Sequence, residues 1–417
     1  MGEDAVEADS NAAVGDTRGG RGTGAAGFLP VLRPQLPPAE ALLPYLQRLD
    51  TGRLYSNRGP LVWELETRLA GLFGASAAVR TAASGTLALA LAILAHAGRG
   101  DPAGPRPLAL LPAFTFVATA QAAELCGYRP VFVDVDPLRW TADPDGLRGH
   151  PALDLAGLIL VAAPYGVLPD VEGCARLQAE TGVPVVIDAA ASFETLCDHP
   201  GRVSETVPLA LSFHATKGFS TGEGGAVVWA SEAAQLRVLQ IANFGFLGTR
   251  AARSIGLNAK MSEYHAAVGL AMLDDLEPRR AAQARVAASY AAAAAASGLR
   301  GRLHLPPRIS PAYTLYEAAD APACARAVAA LNAAGIDSRL WYGRGVDREP
   351  WYAAGPADPL QDRRPERLPG TLPETLPVTR DLCDRLLGLP TAPDLDPDAI
   401  VRVVTTLARA EGATTPQ

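Results

Sequence analysis

Lys217 stands between a short apolar run and a glycine cluster in "LSFHATKGFSTGEGG" (211–225). A lysine amine is strongly hydrated and ordinarily lies in solvent. A desolvated lysine is instead a nucleophile toward carbonyl carbon. Ser212, five residues earlier, places a hydroxyl within reach of the same ligand. Asp188 ends the apolar run "VPVVID" and is followed by Ala189–Ala191. A carboxylate among small apolar residues suits a cationic ring nitrogen, or a helix cap. Ser84-Gly85-Thr86 opens an Ala/Leu-rich stretch; the free N–H groups of a helix start suit a phosphate, and Ser84 or Thr86 also suits the N-cap. Phe114 and Phe116 follow another apolar run and offer a flat face for stacking, or core packing.

The elements that must carry these residues alternate. Helical spacing marks "LVWELETRLAGLFG" (61–74), "TLALALAILAHAG" (86–98) and "VATAQAAELCG" (117–127). Strand-length apolar runs occur in "AAVRTAASG" (77–85), "PLALLPAFTF" (107–116), "RPVFVDVD" (129–136), "LAGLILVAAPYG" (155–166), "VPVVIDAA" (183–190) and "GAVVWA" (225–230). Strands alternating with helices predict an α/β fold with a mostly parallel sheet covered on both faces. Ligands bind such sheets beyond the carboxyl ends of the strands, which is where Gly85, Phe116, Asp188, Ser212 and Lys217 fall.

Farther along, 262–298 reads as long helix with a break near Glu277-Pro278. "CARAVAALNAAGI" and "RDLCDRLLGLP" read as helices, "DSRLWY" as a strand and "PDAIVRVVTTLARAEG" as the last helix, together a smaller α+β C-terminal domain. Residues 1–26 read as a disordered tail without a signal peptide, and 346–376 as a loop. The expected division is 1–26 tail, 27–250 N-terminal arm and large domain, and 251–417 small C-terminal domain.

The chain has 417 residues, 48% of them hydrophobic and 19% charged, and a formal net charge of −7 without blocks of like charge. That argues against nucleic acid or an anionic membrane as partner. Five cysteines, at 126, 174, 197, 324 and 383, lack a CxxC pair and fit neither a zinc site nor a disulfide framework. They read as small buried residues in a reducing cytoplasm. "TGEGG" leads into a strand, so its glycines read as turn residues and Glu223 as structural. His214 is an acid–base candidate by type and reads as core or supporting.

A phosphate, a basic ring nitrogen, a flat π-system and an imine-forming lysine describe pyridoxal 5′-phosphate (PLP). On "SGTLALALAIL", "PAFTFVATAQAAELCGYRPVFVDVDP", "VVIDAA", "SFHATKGFSTGEGGAVV" and "GLNAKMSEYHAAVGL", the chain resembles the DegT/DnrJ/EryC1/StrS family of PLP-dependent sugar aminotransferases over roughly residues 27–410. The resemblance implies the PLP-dependent transferase fold type I. It implies Lys217 as the lysine that carries the cofactor and Asp188 as the partner of its pyridinium nitrogen. Gly85, Thr86 and Ser212 become phosphate contacts and Phe116 the stacking aromatic. Asn258 becomes a contact to the phosphate of the neighbouring subunit, which implies a homodimer with shared active sites. The implied reaction moves an amino group from Glu or Gln to a keto sugar, most readily a nucleotide-linked keto-deoxysugar, in polysaccharide or antibiotic sugar synthesis.

Two positions depart from the family pattern. Ala191 stands where relatives carry Gln or His beside the cofactor's phenolic oxygen. Asp347, in "GVDREPWY", stands where relatives often carry His. Two other readings stay open: a PLP-dependent sugar dehydratase, although those most like this family replace the lysine with histidine, and a PLP-binding regulatory or structural protein without turnover.

Overall fold

The computed structural model describes residues 27–353 and 375–412. The tail 1–26 and most of the loop 346–376 therefore lie outside the described residues. Two helices, Ala39–Gly52 and Pro60–Phe73, lead into the main sheet. Its seven strands are β1 (Ala78–Ala82), β2 (Leu108–Pro112), β3 (Arg129–Val133), β4 (Ala156–Ala162), β5 (Val185–Asp188), β6 (Leu209–Ser212) and β7 (Gly225–Trp229). Their spatial order is β1-β7-β6-β5-β4-β2-β3. All neighbours pair in parallel except β7, which runs antiparallel to both β1 and β6. The carboxyl ends of the other six strands therefore share one edge.

The sheet is covered on both faces, as its continuous apolar strands require. The helix Gly85–His96 is buried from Ala88 to Ala95 and packs on β6, β7 and the helices Val117–Leu125 and Glu232–Ala242. A helix apolar all round has no face for solvent. Small alanines let it lie close to the sheet, which brings its first turn to the strand ends.

A second, three-stranded antiparallel sheet follows: β8 (Arg302–His304), β9 (Leu315–Glu317) and β10 (Leu386–Gly388), in the order β10-β9-β8. Helices Leu276–Ser297, Ala321–Ala333 and Pro397–Ala410 pack around it.

Three local expectations change. The long helix breaks at Asp275, between Glu263–Asp274 and Leu276–Ser297, so Pro278 lies in the first turn of the second helix, where its missing N–H costs nothing. "DSRLWY" is not a strand. Arg339 exchanges backbone hydrogen bonds with Gly388, and the chain then turns through Gly343 and Gly345, both at positive φ. The helix expected over "RDLCDRLLGLP" ends at Arg385, because Leu386–Gly388 is captured as β10 by pairing with β9. Tertiary pairing outweighs the helix preference of leucine there. Cys126, Cys174, Cys324 and Cys383 are buried, Cys197 is partly buried, and none forms a disulfide.

Candidate active site

The strand-end edge gathers Gly85, Asp188, Ser212 and Lys217. Ser84 adopts an extended backbone and caps the helix by accepting from Leu87 N–H at 3.2 Å. Gly85 then takes the first helical position. A β-carbon at Gly85 would lie 2.6 Å from Ser212 Cβ and 2.8 Å from its Oγ. Gly225, the first residue of the intervening β7, would meet Gly85 Cα at 2.8 Å with a β-carbon of its own. Two missing side chains thus allow a helix N-terminus and the Ser212 hydroxyl to meet. The result is a cradle of N–H donors and a hydroxyl at the positive end of a helix dipole, with Thr86 in the same turn, and it fits a phosphate.

Asp188 Oδ2 accepts from Thr119 Oγ1 at 2.7 Å, and Oδ1 accepts from Ala190 N–H at 3.1 Å. Thr119 Oγ1 is in turn 2.8 Å from Thr115 Oγ1. Burial pushes the Asp188 carboxyl above its ordinary range, against the opposing pull of these donors and of the Lys217 charge. A partly buried carboxylate held by a single hydroxyl and one amide retains acceptor capacity for a cationic nitrogen.

Lys217 follows a turn in which its N–H donates to the His214 carbonyl at 2.9 Å. Its Nζ donates to Tyr313 Oη at 3.1 Å. Glycine at the next position leaves room for Glu194, whose Oε1 a β-carbon at Gly218 would overlap. Glu194 is buried and accepts from Ser310 Oγ at 3.0 Å.

Phe116 is the N-cap residue of the helix Val117–Leu125 and is 49% exposed. Phe114 is buried in an aromatic cluster with Tyr165 and Tyr342. Asn258 is exposed, and its Oδ1 accepts from Lys260 Nζ at 2.7 Å. His214, expected as core or supporting, is exposed instead. Its ring hydrogen-bonds Thr216 at 2.8 Å and lies 3.7 Å from the exposed Glu223 carboxylate. The strand ends there and the turn carries the imidazole outward. Asp347 pairs with Arg380, while its Oδ1 is buried without a hydrogen-bond partner among the described residues.

Sequence reasoning missed Thr119, Tyr313, Tyr342 and Glu194. Thr119 carried a readable signal, three residues after Phe116 in the first turn of a helix that starts at a strand end. Tyr313 carried none, because the fold alone brings it to a lysine 96 residues away.

Residues 39–408 match the sequence model of the DegT/DnrJ/EryC1/StrS aminotransferase family. The chain belongs to this family. Among relatives of the aminotransferase, protein Rv3402c of Mycobacterium tuberculosis strain H37Rv is 32% identical over 92% of the chain and 90% of that protein. The dTDP-4-amino-4,6-dideoxy-D-glucose transaminase of Shigella dysenteriae is 33% identical over 59% of the chain and 65% of that enzyme. Of solved structures, DesI with its TDP-sugar product superposes with a TM-score of 0.77, at 28% identity over 93% of the chain and 94% of that chain. A DegT/DnrJ/EryC1/StrS aminotransferase from Brucella abortus superposes with a TM-score of 0.70, at 26% identity over 88% and 94%. Among the described residues of the aminotransferase, no helix is long and apolar enough to cross a membrane.

Proposed function

We propose that this aminotransferase binds PLP at Lys217 and transfers an amino group from glutamate or glutamine to a keto sugar, most readily a nucleotide-linked keto-deoxysugar. The observation that carries the reading is the convergence of Lys217, Asp188 and the Gly85–Ser212 cradle on one sheet edge. Cradle, lysine and carboxylate correspond in chemical type to the three polar ends of that cofactor: phosphate, aldehyde and ring nitrogen. Relatives named for amination of dTDP- and UDP-linked sugars support the acceptor class.

When bound, PLP supplies the electron sink that lets a substrate Cα–H bond break. Lys217 Nζ would hold the cofactor, and the same amine would serve as the base that moves the substrate proton. Asp188 keeps the ring nitrogen protonated, and Thr119 and the Ala190 N–H orient that carboxylate. Gly85, Thr86 and Ser212 anchor the phosphate, and the Phe116 face covers the ring.

The proposed assembly is a homodimer in the cytoplasm, with Asn258 reaching the partner's phosphate. Exposed apolar side chains near this edge support it: Phe116, Phe244 and Leu247 are each more than 40% exposed in the single chain. A large domain and a small C-terminal domain are proposed on the two separate sheets, with the boundary moved from residue 250 to Asp275, because helix Glu263–Asp274 packs against Pro60–Phe73 in the core of the large sheet. Lys217 argues against the dehydratase reading, since the lysine is present and poised.

Borohydride reduction of PLP-loaded protein, followed by peptide mass mapping, should place the adduct on Lys217. An adduct on Lys260, or none after soaking with PLP, rejects the cofactor assignment. A panel of nucleotide 3-keto and 4-keto sugars with glutamate as donor then tests the acceptor. At least one should gain an amine as 2-oxoglutarate appears. Failure of every sugar while 2-oxoglutarate is still released rejects the acceptor class.

A further inference from the structure

Tyr313 is placed against Lys217 by a chain of specific contacts. Ser310 N–H donates to the Tyr165 carbonyl at 2.7 Å, and Tyr313 N–H donates back to the Ser310 carbonyl at 3.0 Å. Ser310 Oγ is tied to Glu194 Oε2 at 3.0 Å. The other oxygen of the same carboxylate abuts Gly218, next to Lys217. One buried side chain therefore registers the tyrosine turn against the lysine turn. The Tyr313 ring is nearly buried and meets Tyr165 and Trp341 edge-on at centroid distances of 5.3 and 5.5 Å, which leaves its hydroxyl little freedom.

The chemistry of the cofactor gives that hydroxyl a task; this step rests on the reading that PLP is attached at Lys217. The ring carbon bearing the phenolic oxygen of PLP adjoins the one bearing the aldehyde. A nitrogen joined to the aldehyde carbon therefore lies beside the phenolic oxygen. A hydroxyl within hydrogen-bond distance of Lys217 Nζ is in reach of that oxygen too. Ala191, which closes the stretch after Asp188, offers only a methyl group in the surrounding aromatic cluster. We propose that Tyr313 is the hydrogen-bond donor to the phenolic oxygen of PLP bound at Lys217, and that it thereby sets the pH at which the Lys217–cofactor link takes up a proton.

The sign follows from charge. Negative charge on the phenolic oxygen stabilises a proton on the neighbouring nitrogen. A donated hydrogen bond draws that charge away, so its removal strengthens proton uptake. Of the titratable groups that face this cluster, Tyr165 and Tyr342 are held protonated by burial, and Cys383 beside them is pushed up to about 12. Asp188 and Lys217 face it as well, Glu194 borders it through Ser310 and Gly218, and Asp347, Arg348, Arg380 and Asp384 act on it from beside Cys383.

The test is a pH titration of the visible absorbance of PLP-loaded wild type, Tyr313→Phe and Tyr342→Phe, with borohydride mapping of each to verify attachment at Lys217. Tyr313→Phe keeps the ring and its packing. Its midpoint should rise by about one to two pH units, the size of one hydrogen bond to a charged oxygen. Tyr342→Phe should stay within about half a unit of wild type, well below the size of such a bond. An unchanged midpoint in Tyr313→Phe, or an equal rise in Tyr342→Phe, overturns the proposal. Absence of a Lys217 adduct in wild type is a different result, which defeats the cofactor reading itself.

Discussion

Gly85 and Ser212 approach so closely that a methyl group on the glycine would lie 2.6 Å from the serine Cβ. Gly85→Ala should therefore force the helix start away from the hydroxyl and open the phosphate cradle. Loss of one hydrogen bond to a charged phosphate weakens binding by roughly ten- to hundredfold. Equilibrium dialysis of PLP should show a loss of that order. Unchanged affinity would mean that phosphate does not sit between these residues.

Asp188→Asn should leave the carboxamide held by Thr119 and the backbone while removing the charge that keeps a ring nitrogen protonated. Cofactor should still load, and 2-oxoglutarate release from glutamate should fall by about a hundredfold or more, the scale of removing a preorganised charge from a site. Near-normal release would reduce Asp188 to a packing residue.

Glu194 and Gly218 should be energetically coupled. Gly218→Ala alone drives a methyl group into Glu194 Oε1, with an expected cost of about 1–3 kcal/mol, as for other overpacked sites. Combined with Glu194→Ala, the same substitution has room, so the double variant should be more stable than the sum of the singles predicts. Urea unfolding of the four proteins measures this; strict additivity would show that the two do not press on each other.

Burial raises the Glu194 carboxyl above its ordinary range. A raised folded-state value gives stability that is fully present below the unfolded value, near pH 4.5, and is lost as pH rises through the folded value. Glu194→Gln removes that dependence while keeping an acceptor for Ser310. Wild type should thus lose melting temperature relative to Glu194→Gln as pH rises above the unfolded value of about 4.5. Parallel curves would contradict the assignment.

Asn258 provides a test of shared sites. If it acts on the partner's cofactor, a mixed dimer of Lys217→Ala and Asn258→Ala chains has one site with both lesions and one with neither. Mixing should then restore activity above the weighted sum of the two homodimers. No recovery, with heterodimers demonstrated by differential tagging and mass spectrometry, would place Asn258 in its own subunit's site or in none.

What local pattern can specify was readable in the sequence. Continuous apolar runs ending at Gly85, Asp188 and Ser212 define strands that finish at one edge, because a strand buried on both faces has few other places to put polar residues. The lysine, the carboxylate and the hydroxyl were legible for that reason. Thr86 and Phe116 were legible at the same strand ends, and resemblance of whole motifs added Asn258. The tertiary structure alone decided the rest. Nothing local to "SPAYTLYE" aims Tyr313 at Lys217; that contact exists because Ser310 is bonded to Glu194 and Tyr165, residues far away in the chain. Leu386–Gly388 became a strand because β9 offered it backbone partners. His214 faces solvent because β6 stops at Ser212 and the turn rotates away from the sheet. Period and composition fix what a segment can become, whereas long-range pairing and packing fix which side chains meet, because those contacts join residues whose separation along the chain carries no local signal.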